Sequence, residues 1–201
     1  MAELRCDLAV IAGAIPSGSR VLDIGCGDGG LLAALRDRGC EVRGMELDAA
    51  LVERCVARGL PVMQGDADAE LASYPDTAFH YAVLSQTLQT VRRPAHLLHE
   101  LLRVGQRAFV SFPNFAHWRV RLALLAGGRM PVTAALPVSW HETPNIHCLT
   151  VADFRALIGE HGMVAERAWF FADSRESGSL GANWRAEFAL FLIARTSSPP
   201  A

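Results

Sequence analysis

The stretch Val21-Leu-Asp-Ile-Gly-Cys-Gly-Asp-Gly-Gly30 constrains this chain more than any other. It reads as an apolar strand that runs into a glycine loop and then into a helix over residues 31–38, closed by Gly39. Glycine turns tightly and lets a ligand approach the main chain, and a strand–loop–helix of this kind opens a nucleotide-binding α/β sheet. Gly25, Gly27 and Gly30 also satisfy the dinucleotide pattern G-x-G-x-x-G, so glycines alone do not select a cofactor.

The rest of the chain keeps the rhythm. Short β-branched runs at 21–24, 42–47, 61–64, 81–84 and 108–112 alternate with helical periods at 49–58 and 95–104, which predicts βαβ units and a parallel sheet. A helix carrying Leu4, Leu8, Ile11 and Ile15 precedes them and stops at Pro16. Between Pro113 and Thr150 the alternation breaks, apart from an amphipathic stretch at 118–126. A helix at 151–161 follows, and then two β-rich runs at 163–171 and 184–194, separated by a polar Gly/Ser loop. The expected fold class is α/β, Rossmann-like: a seven-stranded, mostly parallel sheet with an antiparallel terminal hairpin. Residues 1–195 form one domain, 113–149 an insertion that covers a substrate or binds a partner, and 196–201 a frayed tail.

Three carboxylates narrow the ligand. Asp23 stands two residues before Gly25 at the end of the first strand. A pyrophosphate would be repelled there, whereas the cationic aminoacyl end of S-adenosylmethionine would be attracted. The same carboxylate could simply brace the loop. Glu46 ends the second strand, about twenty residues past the glycines, where it can accept hydrogen bonds from both ribose hydroxyls. Asp66, in Gly65-Asp-Ala67, follows the third strand, where methyltransferases hold an acceptor for the adenine amino group, unless it only makes a surface turn. These positions fall at the carboxyl ends of successive strands, where open α/β sheets bind ligands.

Composition excludes other classes. A formal charge of −2 gives no case for nucleic acid or an anionic membrane. No run approaches the roughly 18 apolar residues of a membrane span. The N-terminus lacks the apolar core of a signal peptide, and five scattered cysteines without a C-x-x-C pair read as reduced thiols, so a cytoplasmic location is expected, with no metal site. Among them Cys26, within the glycine loop, is explained by its small size. His96, His99 and Glu100 read as the solvated face of a helix.

With these residues in place, the chain resembles class I S-adenosylmethionine-dependent methyltransferases over most of its length, and more narrowly the MetW family of methionine biosynthesis. The first motif is shared by a large superfamily. The narrower resemblance is carried by Leu84-Ser-Gln-Thr-Leu-Gln-Thr-Val91, Ser111-Phe-Pro-Asn-Phe-Ala-His-Trp-Arg-Val-Arg121, Gly127-Gly-Arg-Met-Pro-Val-Thr133 and Thr143-Pro-Asn-Ile-His147. It implies binding of S-adenosylmethionine or S-adenosylhomocysteine by Asp23, Gly25, Cys26, Gly27, Glu46, Leu47, Asp66, Ala67, Ser85 and Gln86. It also implies a partner, a homoserine O-acyltransferase (acetyl or succinyl), beside which the protein acts.

The chain departs from small-molecule methyltransferases where Leu-Glu-His-Val is common: here it reads Leu88-Gln-Thr-Val91. Neither Gln89 nor Thr90 titrates near neutral pH, so neither is a general base. Substrate or partner contacts are expected from Gln89, Asn114, His117, Trp118, Arg119, Arg121 and His147. Two readings stand: an accessory protein of the acyltransferase, or a methyltransferase whose arginines grip a small carboxylate-bearing molecule.

Overall fold

The computed structural model describes residues 4–133 and 136–196; most of the expected tail, 197–201, lies outside them. Helix α1 (Cys6–Ala14) leads into β1 (Arg20–Ile24), α2 (Gly30–Asp37), β2 (Glu41–Glu46), α3 (Ala49–Ala57), β3 (Val62–Gln64) and the short α4 (Ala67–Glu70). Then come β4 (Phe79–Ser85), α5 (Pro94–Val104), β5 (Gly105–Pro113), α6 (Trp118–Gly127), α7 (Val151–Glu160), β6 (Met163–Ala172), β7 (Arg175–Ser177), α8 (Ala182–Arg185) and β8 (Phe188–Arg195).

All eight strands form one sheet in the order β3-β2-β1-β4-β5-β8-β6-β7. Strands β1 to β5 are parallel, and β8 runs antiparallel between β5 and β6. Local chemistry sets the element ends. Gly39 and Gly59 close α2 and α3 at φ +82° and +68°, a region costly for residues with a Cβ. Asp48 caps α3 by accepting from Ala50 N and Leu51 N, Pro94 opens α5, and Thr150 with Asp153 forms a capping box on α7.

Apolar cores lie on both faces of the sheet. One packs Leu22, Ile24, Val110, Phe112, Phe154 and Phe191 under α5 and α7; the other packs Val21, Leu31, Leu35, Val83 and Phe109 under α1 and α2. Phe112 and Phe191 stack at 5.9 Å between centroids across the β5–β8 pair, tying the antiparallel strand to the parallel sheet.

Two expectations change in detail. Where seven strands were expected, the three-residue β7 pairs antiparallel with the end of β6 and makes eight. The last strand begins at Phe188, because Gly181 at φ +69° starts a helical turn that takes up Trp184.

Candidate functional site

The carboxyl ends of β1, β2 and β3 open onto a cavity of about 410 Å3 lined by Gly25, Glu46, Leu47, Asp66, Ala67 and Asp68, with Thr87, Thr90 and Val91 opposite. Gly25 and Gly27 have φ +68° and +58°, and a Cβ on Gly27 would meet nothing within 4 Å, so this loop leaves open space beside its backbone. Gly25 is the reverse case: its Cβ would stand 2.7 Å from Thr87 Oγ1.

Glu46 both braces the loop and walls the cavity. Its Oε2 accepts from Gly27 N at 2.8 Å, and its Oε1 from Leu47 N at 2.8 Å and Asp48 N at 3.1 Å. A carboxylate has about four acceptor positions, so one remains for a ribose hydroxyl. Leu47 is 65% exposed on the rim, an apolar surface for a flat ring. Asp66 is exposed and caps α4, accepting from Asp68 N at 3.0 Å. Asp68, which the sequence reading passed over, accepts Arg92 N through Oδ2, while its buried Oδ1 has no hydrogen-bond partner. An orphaned acceptor in this wall fits an amino group arriving with a ligand. The signal available in sequence was the acid two residues after Asp66, on the first turn of a helix.

Asp23 is 3% exposed, and burial pushes its carboxyl up to about 8; nearby Glu46 and Asp7 push the same way, and Arg5 pulls against them. Asp7 is fully buried. Burial alone would raise it as well, but the Arg5 guanidinium at 2.6 Å and the hydroxyls of Ser111 and Ser85 outweigh that and hold it low. Ser85 is thereby drawn into the Arg5–Asp7–Ser111 cluster and away from the cavity wall. Cys26 is buried, with its thiol pushed above the usual range by desolvation, and is no nucleophile.

The turn after β4 separates this cavity from a second. Thr87 and Thr90 line the first cavity, whereas Gln86 and Gln89 line one of about 370 Å3 with Pro113, Phe115, Met130, Leu136, Trp140 and Cys148. Gln86 holds φ +54° and donates its N–H to Ser111 O. The insertion is anchored on the same turn: Ile146 N and His147 N donate to Gln89 O at 2.9 and 3.1 Å, and His147 Nε2 lies 3.0 Å from Val91 O.

Most of the remaining residues expected to touch a substrate or a partner make contacts within the chain. Asn114, 2% exposed, donates to Ala186 O and Asn183 O and accepts from Ala116 N and Val151 N, which makes it a clamp between β5, α7 and α8. His117 is buried, and burial lowers its pKa. Arg119 lies over the Trp118 ring and pairs with Glu187 at 3.3 Å; Arg121 donates to Ala116 O and lies over Trp184. No arginine lines the second cavity among the described residues, so a carboxylate grip there is absent. Trp118 itself is partly exposed on α6.

A family model described as methionine biosynthesis protein MetW matches residues 5–193. The chain belongs to the MetW family. It is 38% identical over 178 residues to the bifunctional methionine biosynthesis protein MetXA/MetW of Rhodopirellula baltica, a match covering 84% of this chain and 29% of that relative. The MetW-family chain thus spans under a third of that relative's length. Its fold is that of S-adenosylmethionine-dependent methyltransferases. It superposes with TM-score 0.70 on one from Archaeoglobus fulgidus (16% identity, covering 96% of this chain and 92% of that one). It does so equally on one from Mesorhizobium loti (19% identity, 94% and 98%). Among the described residues, no helix is long and apolar enough to cross a membrane.

Proposed function

We propose that this MetW-family protein binds S-adenosylmethionine or S-adenosylhomocysteine and acts in methionine biosynthesis as the partner of a homoserine O-acyltransferase. The nucleoside half rests on the cavity in which the glycine loop, Glu46, Leu47, Asp66 and Asp68 converge, with buried Asp23 behind it to receive an ammonium group. The partner half is supported by the relative whose name joins MetXA to MetW in one bifunctional chain. It is supported too by the solvent-facing apolar residues of α6, Leu122, Leu124 and Leu125. Patches of this kind mark protein contacts.

An accessory role is favoured over catalysis because the second cavity's wall holds no Asp, Glu, Lys or His among the described residues. Among the described residues Cys148 is that wall's one titratable side chain, so proton removal from an acceptor would fall to a thiol, with no carboxylate or imidazole beside it. The test has two arms. Calorimetry should give tighter binding of S-adenosylhomocysteine than of NAD. Deleting the gene should create a methionine requirement and lower acyltransferase activity in lysate, restored by the wild-type protein. Prototrophic growth with full acyltransferase activity would overturn the partner reading, and tighter NAD binding would overturn the nucleoside reading.

A further inference from the structure

The second cavity has chemistry of its own. Proline, phenylalanine, methionine, leucine, valine and tryptophan side chains make most of its wall, and the polar remainder is Gln86, Gln89, Thr143, Asn145 and Cys148. No residue there carries a fixed charge. At about 370 Å3 the cavity lies in the range of small-molecule sites, which are mostly apolar with a few placed polar groups.

One of those groups is unsatisfied. Gln89 is 4% exposed, and its Nε2 donates to Gln86 O at 2.7 Å, which fixes the amide so that the other end is the carbonyl. That Oε1 is buried and has no hydrogen-bond partner. A buried acceptor left unpaired costs about 1–3 kcal/mol, and such a group in a native fold calls for an explanation. The backbone of the same residue pins the insertion through Ile146 and His147, so the amide sits where the insertion and the β4 turn meet.

We infer that this cavity binds a neutral, mainly apolar small molecule carrying one N–H or O–H donor, which Gln89 Oε1 accepts. An anion is excluded by the same wall, because Arg119 and Arg121 are committed to Glu187 and to Ala116 O. Entry of a carboxylate would bury a charge without a partner. The two cavities have separate linings that meet at the turn of residues 86–91.

The test uses the purified full chain and three probes: indole, 1-methylindole and indole-3-carboxylate. Cys148 is exposed and lines the cavity, so its alkylation by N-ethylmaleimide, followed by peptide mass spectrometry, reports occupancy, with Cys6 as the outside control. Indole should protect Cys148 and leave Cys6 unchanged. It should do so roughly five- to a hundredfold more tightly than 1-methylindole, the span set by one unpaired buried acceptor. Indole-3-carboxylate should protect least. Gln89→Met should bring indole and 1-methylindole together, and Val138→Trp, which fills the cavity from an exposed position, should remove protection by both with an unchanged melting temperature. No protection by millimolar indole, equal affinity for indole and 1-methylindole in the wild type, or tighter binding of the carboxylate would each overturn the inference. None of these readouts depends on S-adenosylhomocysteine binding.

Discussion

A Cβ placed on Gly25 would stand 2.7 Å from Thr87 Oγ1, so the loop after β1 and the turn after β4 meet in contact that only glycine allows. The φ of +68° at Gly25 adds a second demand for glycine. Gly25→Ala should therefore displace Thr87 and strain the loop together, costing about 1–3 kcal/mol of stability. The checks are thermal unfolding, with a lowered midpoint, and calorimetry, with loss of S-adenosylhomocysteine binding. Gly27→Ala, whose Cβ meets nothing in the protein, should bear only the strain of its φ and obstruct the ligand.

Asp23 should make nucleoside binding depend on pH. Its pKa in the fold, about 8, lies above the ordinary 3.8. The stability contributed by the buried neutral carboxyl is therefore present below 3.8 and lost as pH rises through about 8. A ligand ammonium favours the ionised form, so binding below pH 8 expels a proton. Between about pH 6 and 7.5, below the usual α-amino range, affinity for S-adenosylhomocysteine should rise by up to about tenfold per pH unit. Calorimetry in buffers of different ionisation heat measures that proton directly. Asp23→Asn should flatten the profile, weaken binding and unfold at higher temperature than wild type above pH 8; a pH-independent wild-type affinity would refute the linkage.

Asn114 was read from the sequence as a ligand contact, and its four hydrogen bonds to main-chain groups give it another role. Asn114→Ala should leave buried carbonyls and amides unpaired and lower stability by about 2–4 kcal/mol, measured by urea unfolding. Nucleoside binding by the folded fraction should be preserved.

Strand periodicity and glycine placement made β1 to β5 legible, because α2 and α3 stop at a glycine and α5 starts at a proline. Gly39, Gly59 and Pro94 carry that information in single letters. Asp23, Glu46 and Asp66 stand out in the sequence because each is a carboxylate at a strand end, and the structure sets Glu46 and Asp66 in the wall of the first cavity. The bond from Ser85 to Asp7 was not legible, because Asp7 lies far away in sequence and only the fold brings them together. The contacts of Arg119 and Arg121 within the chain were hidden for a related reason: Glu187 and Trp184, which engage them, sit in the terminal region. Trp184 heads a run whose β-rich part begins only at Phe188, and Gly181 turns the chain before it into a helix.

Helix α6 carries the last prediction. A surface helix normally turns its apolar stripe to the core. In α6 only Val120 is buried, whereas Trp118, Leu122 and Leu125, at i, i+4 and i+7, form a stripe exposed to solvent, with Leu125 at 85%. Folding gains little from these side chains, so their replacement should be nearly silent in the isolated protein, within about 0.5 kcal/mol. Leu122→Glu with Leu125→Glu places two charges on the stripe, which a protein partner would have to bury without counter-ions. Arg121→Ala is a milder companion, losing the Trp184 contact that steadies the start of the helix. Co-purification with the homoserine O-acyltransferase should be lost in the double variant and weakened in Arg121→Ala, while in the double variant melting temperature and S-adenosylhomocysteine affinity stay at wild-type values. If the double variant retains the complex at wild-type strength, the partner docks elsewhere and α6 is not its surface.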